Sequence, residues 1–181
     1  MTNLKLLIPH ELFAPAESSH FEGNWELPVF KSGPDLYSFA APLVWSVDVS
    51  NVGDALLLEG VVEGVAATSC GRCLEPVSVK VIGDVEGYFL IKEGNAPDDM
   101  EGDEFDILPE DNEIDLEPLL QQALLLALPL VPLCNEDCLG LCLKCGANLN
   151  TDPCECDDGE EIELADGNPF AVLLDIDFEE E

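Results

Sequence analysis

The chain has 181 residues, of which 47% are apolar and 7% aromatic, and it sets 39 Asp and Glu against 6 Lys and Arg, a formal net charge of −33 at pH 7. A chain of this length can bury roughly 70% of its unfolded surface, enough for one domain with or without a small appendage. The charge argues against direct, charge-driven binding of DNA, RNA or an anionic membrane, since such binding draws on Lys and Arg. It favours a basic partner, a metal ion or simple solubility.

In chain order, Leu4 to Ile8 is a short apolar stretch interrupted by Lys5, which does not have the pattern of a secretory signal. The reducing cytoplasm is therefore the expected compartment. Leu4 to about Lys31, punctuated by Pro9, Pro15 and Pro28, predicts one strand and irregular connections. From Leu43 the pattern sharpens. Leu43, Trp45, Val47 and Val49 alternate with polar or less committed positions, as do Leu56, Leu58, Val62 and Ala66, and then Val77, Val79, Val81, Val85, Phe89 and Ile91. Three such runs with short links predict an antiparallel meander. Gly60, Gly64, Gly83 and Gly87 inside them predict close backbone approaches and strong curvature.

Asn95 to Glu117 reads as a loop by composition, with eleven acids between Asp98 and Glu117 and no base. Asp115 then offers an N-cap and Pro118 a first-turn proline. Leu116, Leu119, Leu120, Ala123, Leu124, Ala127 and Leu128 recur at helical spacing as far as Pro129. Leu125 and Leu126 on a second face predict a broadly buried helix packed across the sheet. The apolar run Leu119 to Leu133 is too short to span a bilayer and is broken by Pro129 and Pro132. The tail from Asp152 holds thirteen acids and no base. Within it, Asn168 and Pro169 open a predicted short helix to about Asp175, and Glu179 to Glu181 are expected to be disordered.

The eight cysteines fall into four pairs: Cys70 and Cys73, Cys134 and Cys138, Cys142 and Cys145, Cys154 and Cys156. In a reducing compartment, clustered cysteines are more often metal ligands or redox centres than disulfides, and eight thiolates fill two tetrahedral zinc sites. A C-x-x-C turn aims two sulfurs at one ion, and Gly146 after the second cysteine lets amides face the sulfurs. The preferred partition joins Cys70, Cys73, Cys134 and Cys138, leaving Cys142, Cys145, Cys154 and Cys156 for the second site. A zinc-ribbon partition of Cys70, Cys73, Cys142 and Cys145 is the rival. Closed four-cysteine sites staple a fold, whereas catalytic zinc keeps an open position and usually takes His or carboxylate. His10 and His20 lie in the unpatterned N-terminal stretch and are read as surface residues. Cys138-x-x-x-Cys142-x-x-Cys145 has radical-SAM spacing, but only 36 residues follow Cys145 and leave no room for the barrel that chemistry needs. No βαβ pattern surrounds Cys70 to support a thiol oxidoreductase.

Cys70-Gly-Arg-Cys73, the helix from Glu113-Ile-Asp-Leu116 into Leu128-Pro-Leu-Val-Pro132, the string Gly140-Leu-Cys-Leu-Lys-Cys-Gly146-Ala-Asn-Leu-Asn150, and Asn168-Pro-Phe-Ala-Val-Leu173 together resemble the YceD family, the large ribosomal RNA subunit accumulation proteins. The resemblance runs from about Ser69 to Leu174. Many members carry Asp-Pro-Arg where this chain has Asn168-Pro169-Phe170, so a base is missing there. The resemblance implies a cytoplasmic, non-catalytic role in producing or stabilising large-subunit ribosomal RNA, in a gene neighbourhood with a large-subunit ribosomal protein. Combined with the charge, it points to protein contacts with a basic ribosomal protein or assembly factor. The two base-free acidic stretches, Asp98 to Glu117 and Asp152 to Glu181, are the expected docking region. A metal-dependent or thiol-redox enzyme is the alternative, and a zinc-ribbon adaptor in transcription a third reading. The expected architecture is α+β: a curved antiparallel β-meander packed by one main helix in residues 1–133, then a cysteine-rich, metal-stapled segment and acidic tail in 134–181.

Overall fold

The computed structural model describes residues 4–92, 105–152 and 154–156. The expected helix at Asn168 to Asp175, the terminal Glu179 to Glu181 and the first part of the Asp98 to Glu117 stretch lie outside the described residues. The chain divides into two compact units, residues 1–138 and 139–181.

In the first unit the alternating runs become β5 (Leu43–Asn51), β6 (Ala55–Ser69) and β7 (Pro76–Leu90). They follow β1 (Lys5–Leu7), a 3-10 turn (His10–Phe13), β2 (Ser18–Trp25), β3 (Val29–Ser32) and β4 (Asp35–Phe39). After them come β8 (Asp106–Ile107), β9 (Glu113–Asp115) and α1 (Glu117–Ala127). Successive side chains of a strand point to opposite faces. Leu43, Trp45, Val47 and Val49 of β5 therefore share one buried face with Leu56, Leu58, Val62 and Ala66 of β6 and Val81, Val85 and Phe89 of β7. β6 and β7 pair antiparallel over their whole length, from Ala55 opposite Leu90 to Ser69 opposite Pro76. β5 takes the other edge of β6, with Val44 opposite Glu63 and Asn51 opposite Leu56. Beyond it the β3–β4 hairpin uses the same edge, through Ser38 opposite Ala67 and Phe39 opposite Ala66. The result is an α+β body, mostly antiparallel, with a seven-stranded sheet among the described residues.

The N-terminal third holds more order than the single strand its sequence suggests. β2 pairs with β5 from Ser18 opposite Ser50 to Trp25 opposite Leu43. Its sequence, SSHFEGNW, buries only Trp25 fully, so backbone pairing rather than an apolar pattern holds it. Asn51, the buried polar residue of this region, donates from Nδ2 to the Leu12 carbonyl at 2.7 Å and accepts the Gly53 N–H at 2.8 Å. It ties the 3-10 turn to the β5–β6 connection, and both ends of its amide are satisfied, as burial requires.

The stretch read as a loop also forms strands where it is described. β9 pairs antiparallel with β1, and β8 runs parallel to the end of β7. Leu108, Ile114 and Leu116 are buried, which anchors acidic chain to the core by three side chains. Lys5 Nζ meets Glu113 Oε2 at 2.9 Å, and this bond holds the amine above its ordinary pKa. These strands are too short and too acidic for periodicity to reveal them.

Asp115 caps α1, though from one residue before the N-cap position, accepting the Glu117 N–H at 3.0 Å. Leu128 turns extended ahead of Pro129 and ends the helix. Leu120, Ala123 and Leu124 face the sheet. At their contact a Cβ on Gly83 would lie 2.5 Å from the Ala123 carbonyl oxygen, so only glycine lets the helix seat this closely. The expectation of broad burial is not met: Leu125 is 52% exposed and Leu126 79%. α1 packs by one face, and no second layer among the described residues of this unit covers the other.

The sheet face away from the core carries its own pattern. His20, Asp48, Glu59 and Glu86 stand in one cross-strand row over β2, β5, β6 and β7. His20 Nδ1 lies 2.9 Å from Asp48 Oδ1, but Glu59 has an acid directly opposite on both sides. Directly opposed like charges destabilise a sheet by roughly 0.2–1 kcal/mol per pair. Replacing Glu59 with Gln should therefore raise unfolding stability by about 0.5 kcal/mol at low salt, with the gain shrinking near 1 M salt as screening sets in. Urea denaturation at the two ionic strengths measures both effects, and a salt-independent or absent gain would show the row is not strained.

Candidate metal centres

The cysteines form two four-sulfur groups, each inside one unit. In the first unit Cys70, Cys73, Cys134 and Cys138 bring their sulfurs within 4.8 Å of one another; in the second, Cys142, Cys145, Cys154 and Cys156 do the same. This is the grouping preferred from sequence, and the zinc-ribbon partition of Cys70, Cys73, Cys142 and Cys145 is not adopted.

The first group is built by the tip of the β6–β7 hairpin and the chain after α1. Cys70 N–H donates to the Glu75 carbonyl at 2.8 Å and Leu74 N–H to the Cys70 carbonyl at 3.0 Å, with Leu74 at φ 63°. In the second unit Cys142 N–H donates to the Ala147 carbonyl at 2.8 Å and Gly146 N–H to the Cys142 carbonyl at 2.9 Å, with Gly146 at φ 74°. The two C-x-x-C turns are thus the same knuckle, residue for residue, with a left-handed position after the second cysteine. The second knuckle is closed further by the bridge between Leu141 and Asn148 and by Asn150 Oδ1 accepting the Leu139 N–H at 2.9 Å.

The post-helix segment is held to the first knuckle by bonds that sequence reasoning missed. Gly71 N–H donates to the Pro132 carbonyl at 2.7 Å. Arg72 Nη1 donates to the carbonyls of Cys138 at 3.0 Å and Glu136 at 3.3 Å. Tyr37 Oη donates to the Pro129 carbonyl at 3.1 Å, and burial raises its pKa. One signal for Arg72 was available: it precedes the second cysteine as Lys144 does in the other knuckle, and the chain has only 6 such bases.

Distances and protonation describe what these groups can do. Cys70 Sγ lies 3.8 Å from Cys138 Sγ, and Cys73 Sγ lies 3.7 Å from Cys134 Sγ. A tetrahedron of sulfurs about 2.3 Å from a central zinc has edges of about 3.8 Å, whereas a disulfide needs about 2.05 Å. The Cys70 thiol is lowered to about 6, chiefly by the Cys73 amide and then by that of Arg72, and Cys142 is lowered to about 6 by the amides of Cys145 and Lys144. Cys134 and Cys156 are pushed up to about 12, chiefly by the neighbouring sulfurs of Cys138 and Cys145 respectively. Cys70 and Cys142 therefore ionise ahead of Cys134 and Cys156 in their respective groups, and a cation among the sulfurs would offset the repulsion that opposes further ionisation. Both groups could hold a metal ion, and four soft sulfur donors at this spacing fit zinc. His10 and His20 take no part, and among the described residues no histidine or carboxylate joins either group.

The sequence profile of the family described as large ribosomal RNA subunit accumulation protein YceD matches residues 58–177, a span that contains all eight cysteines. The chain belongs to the YceD family. Among YceD relatives, the chloroplastic homolog 1 of Arabidopsis thaliana is 29% identical over 146 residues, covering 66% of this chain and 45% of that one. The Zea mays chloroplastic homolog 1 is 30% identical over 142 residues, covering 64% and 48%. An uncharacterized protein of Mycobacterium tuberculosis is 34% identical over 105 residues, covering 58% and 50%. The chain spans about half the length of the curated relatives it matches. No solved structure matches it. The family is named for accumulation of ribosomal RNA, not for an enzymatic reaction.

The shared knuckle yields a paired test. The left-handed region costs a non-glycine residue roughly 1–2 kcal/mol, and Leu74, 64% exposed, recovers little of this by burial. Leu74→Gly should be neutral to stabilising by up to about 1 kcal/mol after the greater unfolded-state freedom of glycine is counted. Gly146→Val should destabilise the second unit by at least about 1 kcal/mol. Thermal melts of the two variants, read against the unmodified chain, check the opposite signs.

Proposed function

We propose that this protein is a non-catalytic factor of ribosome biogenesis that supports accumulation of large-subunit ribosomal RNA. It acts in the cytoplasm through contacts with a basic ribosomal protein or assembly factor of the large subunit. The observation that carries this reading is the YceD match over residues 58–177 in a chain of net charge −33. Such a chain is poorly suited to gripping an RNA backbone. It is well suited to shielding a basic protein before or during its assembly. No helix among the described residues is long and apolar enough to cross a membrane.

In this reading all eight cysteines, Cys70, Cys73, Cys134, Cys138, Cys142, Cys145, Cys154 and Cys156, bind two structural zinc ions. The first ion pins the chain after α1 to the hairpin tip and so fixes the helix against a sheet curved at its glycines. The second supplies the cohesion that the cysteine-rich segment lacks in apolar core, since zinc contributes about 10–16 kcal/mol of apparent binding free energy in small modules. A closed four-sulfur set leaves no coordination position for substrate, which separates this reading from a metal-dependent or redox enzyme.

Metal analysis of the purified protein should give two zinc ions per chain and no colour, with Cys73→Ser and Cys145→Ser each losing one. Because the thiols must give up protons to bind, zinc should be released on acidification, read with a chromophoric chelator. A brown protein absorbing near 400 nm would instead indicate an iron–sulfur cluster.

The partner is tested by co-purification from the source cells at two salt concentrations, read for both protein and RNA. A basic large-subunit ribosomal protein or assembly factor, retained at low salt and released at high salt, is the expected outcome. Tight binding to bare ribosomal RNA would overturn the proposed mode of action.

A further inference from the structure

We infer that the sheet face turned away from α1 is the docking surface for a Lys/Arg-rich segment of a basic protein, with an apolar anchor at one end and its cationic side chains at the other. The inference rests on the proposal above that the partner is a basic protein, and it assigns the contact to a face of the first unit rather than to the base-free stretches.

At one end of this face a groove of about 540 Å³ is lined by residues including Pro42, Val44, Val65 and Ala67. Val44 is 47% exposed and Val65 60%, and Ile82, opposite Glu63 beside the groove, is 52% exposed. β-branched side chains on a folded sheet are stiff and already ordered, so covering them costs little entropy. The two lysines of the face also sit at this end: Lys31 opposite Leu36, and Lys80 with Nζ 4.0 Å from Glu63 Oε2.

At the other end stand Asp48, Glu59 and Glu86, with Glu22 and Asp84 in the adjoining row, and His20 against Asp48 is the base placed among them. The opposed acids work against the sheet that carries them. A cation laid across Glu59 would relieve both like-charge pairs at once, so binding and relief of strain coincide. Six residues of β6 separate Glu59 from Val65, about 20 Å along the strand. The fitting occupant therefore places its apolar anchor and its basic cluster about six residues apart if extended, or about thirteen if helical.

The test uses the full chain against purified, RNA-free basic proteins and basic assembly factors of the large ribosomal subunit, with dissociation constants measured at low and moderate salt. Two variants are compared with the unmodified chain: Asp48→Asn with Glu59→Gln and Glu86→Gln, and Val65→Ser with Ile82→Ser. All five positions are exposed, and zinc content and circular dichroism confirm that the variants fold. For the protein that binds best, the first variant should lose about tenfold at low salt and show a flatter salt dependence. The second should lose about tenfold with the salt dependence unchanged. Carboxylate footprinting of the unmodified chain in the complex should find Glu59 and Glu86 protected. If both variants bind within twofold of the unmodified chain and no protection is seen, the face is not the docking surface, while the proposed function stands. If the unmodified chain binds none of these proteins, both readings fall. If the variants instead abolish self-association seen by sedimentation, a second copy is the occupant and the inference is wrong.

Discussion

Four sulfurs gathered within 4.8 Å of one another repel as they ionise, and a cation among them would relieve that repulsion. The first unit brings its hairpin tip and its post-helix chain together at this point. Two of the four sulfurs belong to the β6–β7 hairpin tip and two to the chain that leaves α1, so an ion held by all four would tie one segment to the other. The hydrogen bonds of Gly71 and Arg72 to the same segment prepare the geometry without metal. Arg72 also brings a positive charge to a group that, with zinc and four thiolates, would carry a net charge of about −2. The lowered Cys70 and raised Cys134 are the two sides of this crowding: amides favour the first charge, and neighbouring sulfurs oppose the next.

The same knuckle recurs in the second unit with a different support. There, Gly146 takes the left-handed position that Leu74 occupies in the first, and asparagine side chains close the loop in place of a β-hairpin. A glycine suits a segment with little core, where strain has nothing to offset it. The leucine sits where a fully paired fifteen-residue hairpin holds the turn regardless of the residue's preference. The two turns thus show the same backbone reached once by preference and once by constraint.

The strands and helix that were legible in the sequence are those whose side chains decide their conformation. β5 buries every second residue, β6 and β7 turn alternate residues to the core over much of their length, and α1 repeats its leucines every three or four, so pattern and structure coincide. The cysteine grouping was legible for a related reason, since only certain pairs lie on segments that a hairpin and a helix return to one place. β2, β8 and β9 were hidden because backbone pairing, not burial, holds most of their residues, and pairing leaves little trace in composition. Leu125 and Leu126 misled for the opposite reason. Their hydrophobicity is real, but burial also needs a neighbour, and a sequence does not say whether a second layer exists on the far side of a helix.

The acidity has two distinct structural meanings. Of the 39 acids, 24 fall in Asp98 to Glu117 and Asp152 to Glu181, where a run of like charge without a base would serve solubility or loose attraction equally well. The acids on the sheet are different, because their positions are set by register to within a strand spacing and several directly oppose one another. Solubility alone is served as well by staggering acids with lysine, threonine or serine across the strands, which avoids the repulsion. Acids aligned in a row on the same face as exposed valines instead combine directional charge with a dry anchor. That pairing distinguishes recognition of a particular basic segment from attraction to any cation.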